Sequence, residues 1–196
     1  WIHRNRILNI NGKPIYFTVP TKRASLETKI KDILVDGEDW QLKILAQLDF
    51  YKKKAPYYKE VVDFLTDCFS YKTERISDLN VYLLKRVCDY LEIDHNIKIL
   101  SELHLTHEEV KASDEWGLYV TKQLGGQSYI NLPSGKSFYN RDKYANHHIH
   151  LQFIENNIRE YNQKKEGFES SLSIIDVMMF NHVEEIQKML DDYQLT

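Results

Sequence analysis

The second half of the chain changes hydrophobic period several times, and this alternation limits the possible folds more than any single motif does. Ile97, Ile99 and Leu100 make an apolar stretch of strand length. Ser113-Asp114-Glu115 then opens a helix that places Trp116, Tyr119, Val120 and Leu124 on one face and stops at Gly125-Gly126. Residues 128–131 read as a strand, 132–137 as a loop, 139–146 as a short helix and 149–154 as another strand. A helix is expected from Ser173 and a terminal one over 183–190. Strand–helix–strand–helix–strand predicts an α/β protein with a parallel sheet and right-handed crossovers. Ligands of such sheets bind outside the carboxyl ends of the strands, which puts the 132–137 loop at the expected site.

The first half supplies two additions to that core. Residues 6–10 and 15–19 flank Asn11-Gly12, a strong hairpin signal, and Pro20 closes the second strand. A short strand is expected over 30–35. From Trp40 the period becomes helical, and three helices with apolar faces fill a helical insert of about residues 38–93, punctuated by Pro56. At 196 residues the whole chain, 1–196, is expected to form one domain. A net charge of −3 argues against a nucleic-acid footprint, which carries a basic excess. Mean hydropathy is −0.52 and no apolar run reaches the length of about 20 that a membrane span needs. Cys68 and Cys88 sit in helical patterns and read as reduced, buried thiols, so a cytoplasmic protein is expected.

Several stretches could carry chemistry. Pro133-Ser134-Gly135-Lys136-Ser137 resembles the end of a phosphate-binding P-loop, but Ile130 stands where that motif needs its first glycine. Two readings remain there, an anion cradle of backbone N–H groups with Lys136, and an ordinary turn. Ser170, Ser171 and Ser173 precede a helix start, where N–H groups favour an anion. Ser173 with Asp176 also fits a loose capping box, and the two readings are compatible. Arg4, Asn5 and Arg6 open the first strand; they suit anion recognition or a solvated strand edge. The histidines His104, His107, His147, His148 and His150 lack metal-ligand spacing, so no metal site is expected.

Four ordered segments, beginning at Trp1, Val19, Tyr129 and Leu172, resemble the WbqC-like family. They read Trp1-Ile2-His3-Arg4-Asn5-Arg6-Ile7, Val19-Pro20-Thr21-Lys22-Arg23-Ala24-Ser25, Tyr129-Ile130-Asn131-Leu132-Pro133-Ser134-Gly135-Lys136, and Leu172-Ser173-Ile174-Ile175-Asp176-Val177-Met178-Met179-Phe180-Asn181. The resemblance implies a bacterial protein of O-antigen or other surface-polysaccharide biosynthesis. Its implied activity is transfer of an amino acid (glycine) or an acyl group to a nucleotide-linked amino sugar. It also implies that the family's N-terminal segment is missing, and His3 stands where family patterns often have Asn. A loose likeness of that segment to nucleotidyltransferase openings implies a nucleotidyltransferase or Rossmann-like core. The implied substrate is a small anion, with a nucleotide sugar or ATP and Mg as its nucleotide component. The residues carried over as the binding set are Arg4, Asn5, Arg6, Lys22, Asn131, Gly135, Lys136, Ser171, Ser173 and Asp176. Two other roles are compatible with these motifs, an ATP-using ligase and a non-catalytic member of a polysaccharide-assembly complex.

Overall fold

The computed structural model describes residues 2–106 and 110–196. The chain packs as two compact units, Trp1–Ile97 with Arg159–Met189 and Lys98–Ile158 with Leu190–Thr196. The first unit opens with the expected hairpin, β1 (Arg4–Leu8) antiparallel to β2 (Pro14–Thr18), with Arg4 opposite Thr18 and Leu8 opposite Pro14. The pairing sits closer to the N-terminus than the sequence suggests because the turn is wider than Asn11-Gly12 alone. The Asn9 side-chain oxygen accepts from the backbone N–H groups of Asn11 and Lys13 at 2.9 and 3.1 Å, which draws residues 9–13 into the turn. Gly12 supplies the left-handed residue there, at φ 72°.

The helical region follows as α1 (Trp40–Ala46), α2 (Asp49–Lys52), α3 (Tyr58–Phe69) and α4 (Ile76–Tyr90). Helix α3 buries Val61, Leu65, Cys68 and Phe69, a single stripe at i, i+4, i+7 and i+8. The strand expected over 30–35 is reduced to isolated bridges, Thr21 with Val35 and Leu34 with Arg75, beside a 3-10 turn at Ile30–Asp32. Lys29, Lys31 and Asp32 give that stretch no continuous apolar face to bury.

The second unit runs α5 (Glu115–Gln123), β3 (Ser128–Asn131), α6 (Arg141–Ala145) and β4 (His150–Asn156). The chain returns to the first unit as α7 (Ile174–Phe180) and α8 (Val183–Leu190), and ends in the second as β5 (Tyr193–Leu195). The sheet order is β3-β4-β5. Ser128 faces His150 in the parallel β3–β4 pair, whereas β5 runs antiparallel to β4 with Leu195 opposite Ile154.

The protein is therefore a mixed α/β structure with small sheets, and the expected parallel order is confined to one strand pair. Residues 97–100 correct the sequence reading. They form no strand, and a 3-10 turn occupies Leu100–Glu102 with Leu100 exposed, because an alternating tetrapeptide holds strand geometry only beside a partner. The predicted cap of α5 is also different in detail. The Glu115 carboxylate, rather than Ser113 or Asp114, accepts from the N–H groups of Lys111 and Ala112 at 3.0 and 3.2 Å.

Two cores match the two units. The larger gathers Ile7, Leu8, Trp40, Leu48, Phe50 and Tyr51 with the inner faces of α3, α4, α7 and α8. The smaller is aromatic: Leu118, Tyr144, Ile149, Leu151 and Phe153 pack with half-buried Tyr129 and Tyr139. Cys68 is buried and Cys88 half-buried, and neither forms a disulfide. Among the described residues, no helix is long and apolar enough to cross a membrane.

Candidate functional site

In the first unit, the start of β1, the inner faces of α3 and α4, and the start of α7 enclose a cleft of about 360 Å³. The wall is mostly hydrocarbon, including Phe17, Phe64, Leu65, Leu83, Val87 and Ile175. Its polar lining comes from His3, Arg4, Asn5, Asn80 and Ser173. These residues are placed by the fold. The Asn80 amide donates to the Ile2 carbonyl at 2.9 Å and ties the chain entering β1 to α4, and the Val19 N–H donates to the His3 carbonyl at 2.8 Å. Arg4 and Asn5 are exposed, so they border the cleft where it meets solvent, while His3 is half-buried.

The electrostatics of the cleft follow from this placement. Burial holds the His3 imidazole below its ordinary pKa, helped by the charge of the adjacent Arg4, which favours the neutral ring. The Arg4 guanidinium rests over the Tyr16 ring, 4.6 Å from its centroid. Burial raises the Cys68 thiol, which keeps it protonated and makes it part of the apolar wall rather than a nucleophile. A neutral imidazole and the amides of Asn5 and Asn80 beside a hydrocarbon cleft can receive a molecule with an apolar body and a polar end. The Arg4 guanidinium, over Tyr16 on the other face of the hairpin, serves only a charged group left outside the mouth.

Of the ten residues expected at the site, Arg4, Asn5 and Ser173 meet in this cleft. Ser173 also caps α7, accepting from the Ile175 N–H at 3.3 Å. Arg6 is committed nearby: its guanidinium donates to the carbonyls of Ser170 and Ser171 at 3.2 and 3.0 Å, and its own carbonyl accepts from the Ser173 N–H at 2.8 Å. That pinning holds Ser171 at φ 56°, a left-handed conformation that costs a residue with a Cβ about 1 kcal/mol. Ser171→Gly is therefore expected to stabilise the protein by roughly 0.5–1 kcal/mol in denaturant unfolding.

Asp176 lies deeper. It is fully buried, and its carboxylate accepts from the Tyr51 hydroxyl and the Tyr161 hydroxyl, each at 2.6 Å, and from the Gln163 amide at 2.9 Å. The Tyr51 oxygen in turn accepts from the Leu8 N–H at 2.9 Å. The capping-box reading of Asp176 is thereby corrected, since its side chain faces α2 and the 161–163 segment rather than reaching back to Ser173. Its raised pKa comes first from burial, which the three hydrogen bonds and the charge of Lys165 oppose.

Lys22 is exposed, and its backbone N–H donates to the Leu34 carbonyl at 2.9 Å. The remaining three residues belong to the second unit. Asn131 accepts from the Leu132 N–H at 2.7 Å, and Lys136 pairs with Glu155, which depresses the Glu155 pKa. Residues Pro133–Gly135 form a 3-10 turn. A Cβ on Gly135 would stand 3.0 Å from the Tyr139 ring and 3.3 Å from Phe153, so close packing accounts for this glycine. Among the described residues, no three His, Cys, Asp or Glu side chains are grouped to hold a metal ion; His107 lies outside the described residues.

The cleft walls and the Asp176 partners escape a reading of the sequence. Phe64, Leu65, Leu83 and Val87 look like core positions, because a helical stripe has the same spacing whether it packs or lines a cavity. Tyr51, Tyr161 and Gln163 carry no local motif.

Comparison with known proteins bears on the whole chain. The sequence profile of the WbqC-like protein family matches residues 1–188. A Mycobacterium tuberculosis protein described as uncharacterized protein Rv1507c is 27% identical over 184 residues, covering 92% of this chain and 77% of its own length. No solved structure matches. The family profile spans nearly every element described above, both compact units included, and on that match the chain belongs to the WbqC-like protein family.

Proposed function

We propose that this protein is a cytoplasmic transferase that passes an acyl or amino-acid (glycyl) group to a nucleotide-linked amino sugar in bacterial surface-polysaccharide biosynthesis. The observation that supports this reading is the cleft of the first unit, where Arg4, Asn5 and Ser173 border an apolar cavity of about 360 Å³. The substrate class in this reading is what the resemblance of the four motifs implies, and those motifs contribute the three residues. In the proposed reaction the amine nitrogen attacks the carbonyl carbon of an activated donor, such as a thioester or acyl phosphate. The bond to the leaving group breaks and takes the electron pair, and the nitrogen loses a proton. His3, neutral at the cleft, is the base placed to receive that proton, and Arg4 offsets the charge of an anionic donor or acceptor. Positioning supplies the rest of the rate. The parallel β3–β4 pair is the part of a nucleotidyltransferase-like core that this reading retains.

The experiment is product detection by mass spectrometry with the full chain, an activated donor and a nucleotide-linked amino sugar. Transfer is expected as a mass gain of the donor's acyl group on the sugar nucleotide. Arg4→Ala is expected to lower kcat/KM about tenfold to a hundredfold, the range for losing one charge-assisted contact. Full activity in Arg4→Ala would contradict the role given to this cleft.

A further inference from the structure

We infer that the group carried in the first unit's cleft is an aliphatic acyl chain attached to an anionic carrier, and not glycyl. This rests on the proposed transferase reading and decides between its two donors. Three observations carry it. Every contributing element adds hydrocarbon to the wall: Phe17 from the hairpin, Phe64 and Leu65 from α3, Leu83 and Val87 from α4, and Ile175 from α7. Glycyl has no side chain to bury against such a wall, so the cleft would offer it no hydrophobic gain. Among the described residues, none that lines the cleft is acidic. The ammonium of a glycyl donor would therefore find no carboxylate in the cleft, whereas the carboxylate, phosphate or nucleotide end of an acyl donor, left outside the mouth, has Arg4 to face. The cleft is also of small-molecule size, within the range of roughly 300–1,000 Å³ typical of ligand pockets.

Chain length then becomes the readout. Each methylene buried contributes about fourfold in affinity, so octanoate should bind the full chain roughly two hundredfold tighter than butanoate by titration calorimetry. Glycine should give no measurable heat. Leu84 lines the cleft from α4 and is 52% exposed, so Leu84→Trp can narrow the cleft without disturbing the packed core. It should weaken octanoate at least tenfold and butanoate less, with helicity by circular dichroism confirming the fold. Arg4→Gln should weaken every carboxylate by a common factor and leave the chain-length slope intact. A flat series from butanoate to octanoate overturns the inference, as does octanoate binding that Leu84→Trp leaves unchanged. Glycine binding that Arg4→Gln abolishes, with no fatty-acid binding, overturns the acyl assignment while the transferase site stands. Binding of neither glycine nor any fatty acid overturns both.

Discussion

Asp176→Ala is expected to destabilise the protein by about 3–5 kcal/mol, a large share of the roughly 5–15 kcal/mol that holds a typical domain folded. The carboxylate is the shared acceptor for Tyr51, Tyr161 and Gln163, and it has no exposure to water. Truncation takes the acceptor from the buried Tyr51 hydroxyl and the half-buried Tyr161 hydroxyl, each costing about 1–3 kcal/mol when stranded, and leaves the Gln163 amide only the Glu169 carbonyl. The Leu8 N–H feels the loss as well, because the Tyr51 oxygen that accepts from it is oriented by Asp176. Four stretches would loosen together: β1, α2, residues 161–163 and α7. Denaturant midpoints of the wild type, Asp176→Ala and Asp176→Asn would measure this, with the isosteric asparagine retaining one acceptor and losing less.

The same residue has an unusual pH signature. Burial raises its carboxyl above the ordinary value of 3.8, so the folded state takes up this proton at higher pH than the unfolded chain. Acidification from neutrality toward 3.8 therefore favours folding at this residue. The stability advantage of wild type over Asp176→Asn should widen as pH falls across that window, by at most about 1.4 kcal/mol per pH unit. Glu115, Glu155 and Glu185 act in the opposite sense. Lysine hydrogen bonds lower all three, so their contributions are present above the ordinary carboxylate range and are lost in acid. Comparing with the asparagine variant cancels those terms.

Gly117→Ala carries the second large effect, in the other unit. Alanine is favoured over glycine by about 1 kcal/mol inside a helix, so a gain would be expected from propensity alone. Packing reverses the sign. An added Cβ on α5 would lie 2.4–2.8 Å from the Tyr129 ring. That ring cannot swing away cheaply, because it stacks on Tyr144 with centroids 5.6 Å apart and its hydroxyl meets that of Tyr139 at 3.3 Å. Overpacking of this kind costs about 1–3 kcal/mol after repacking, and with contacts this short the upper part of that range applies, so a net loss approaching about 2 kcal/mol is expected. Adding Tyr129→Leu should restore tolerance to Gly117→Ala, a coupling that a double-mutant cycle in thermal unfolding would detect.

These two sites show which features a sequence can disclose. The hairpin is legible from Asn11-Gly12, and α3, α4, α7 and α8 from their apolar spacing, since each signal lies within a few residues. Strands are legible where the chain itself supplies a neighbour. Residues 128–131 and 149–154 become the parallel β3–β4 pair, but 97–100, with an equally good pattern, finds no partner. The three residues of β5 are too short to register and depend on β4 for their geometry. Ser173 is readable as a cap because capping is local. Asp176 is misread for the same reason: its partner Tyr51 lies 125 positions away, and a capping-box spacing is all that a linear reading can see. Arg4, Asn5 and Ser173 stand out in the sequence, yet what joins them is a cavity between helices, and cavities leave no periodic mark.

The proposed function requires that the first unit's cleft hold the substrate. Methyl-labelled nuclear magnetic resonance of the full chain, titrated with octanoate, tests it most directly. Shifts concentrated on Leu65, Leu83, Leu84, Val87 and Ile175, and weakened in Arg4→Gln, are the predicted result. Shifts confined to methyl groups of the second unit, such as Leu118 and Leu151, would contradict it, as would a spectrum that neither octanoate nor glycine changes at saturation.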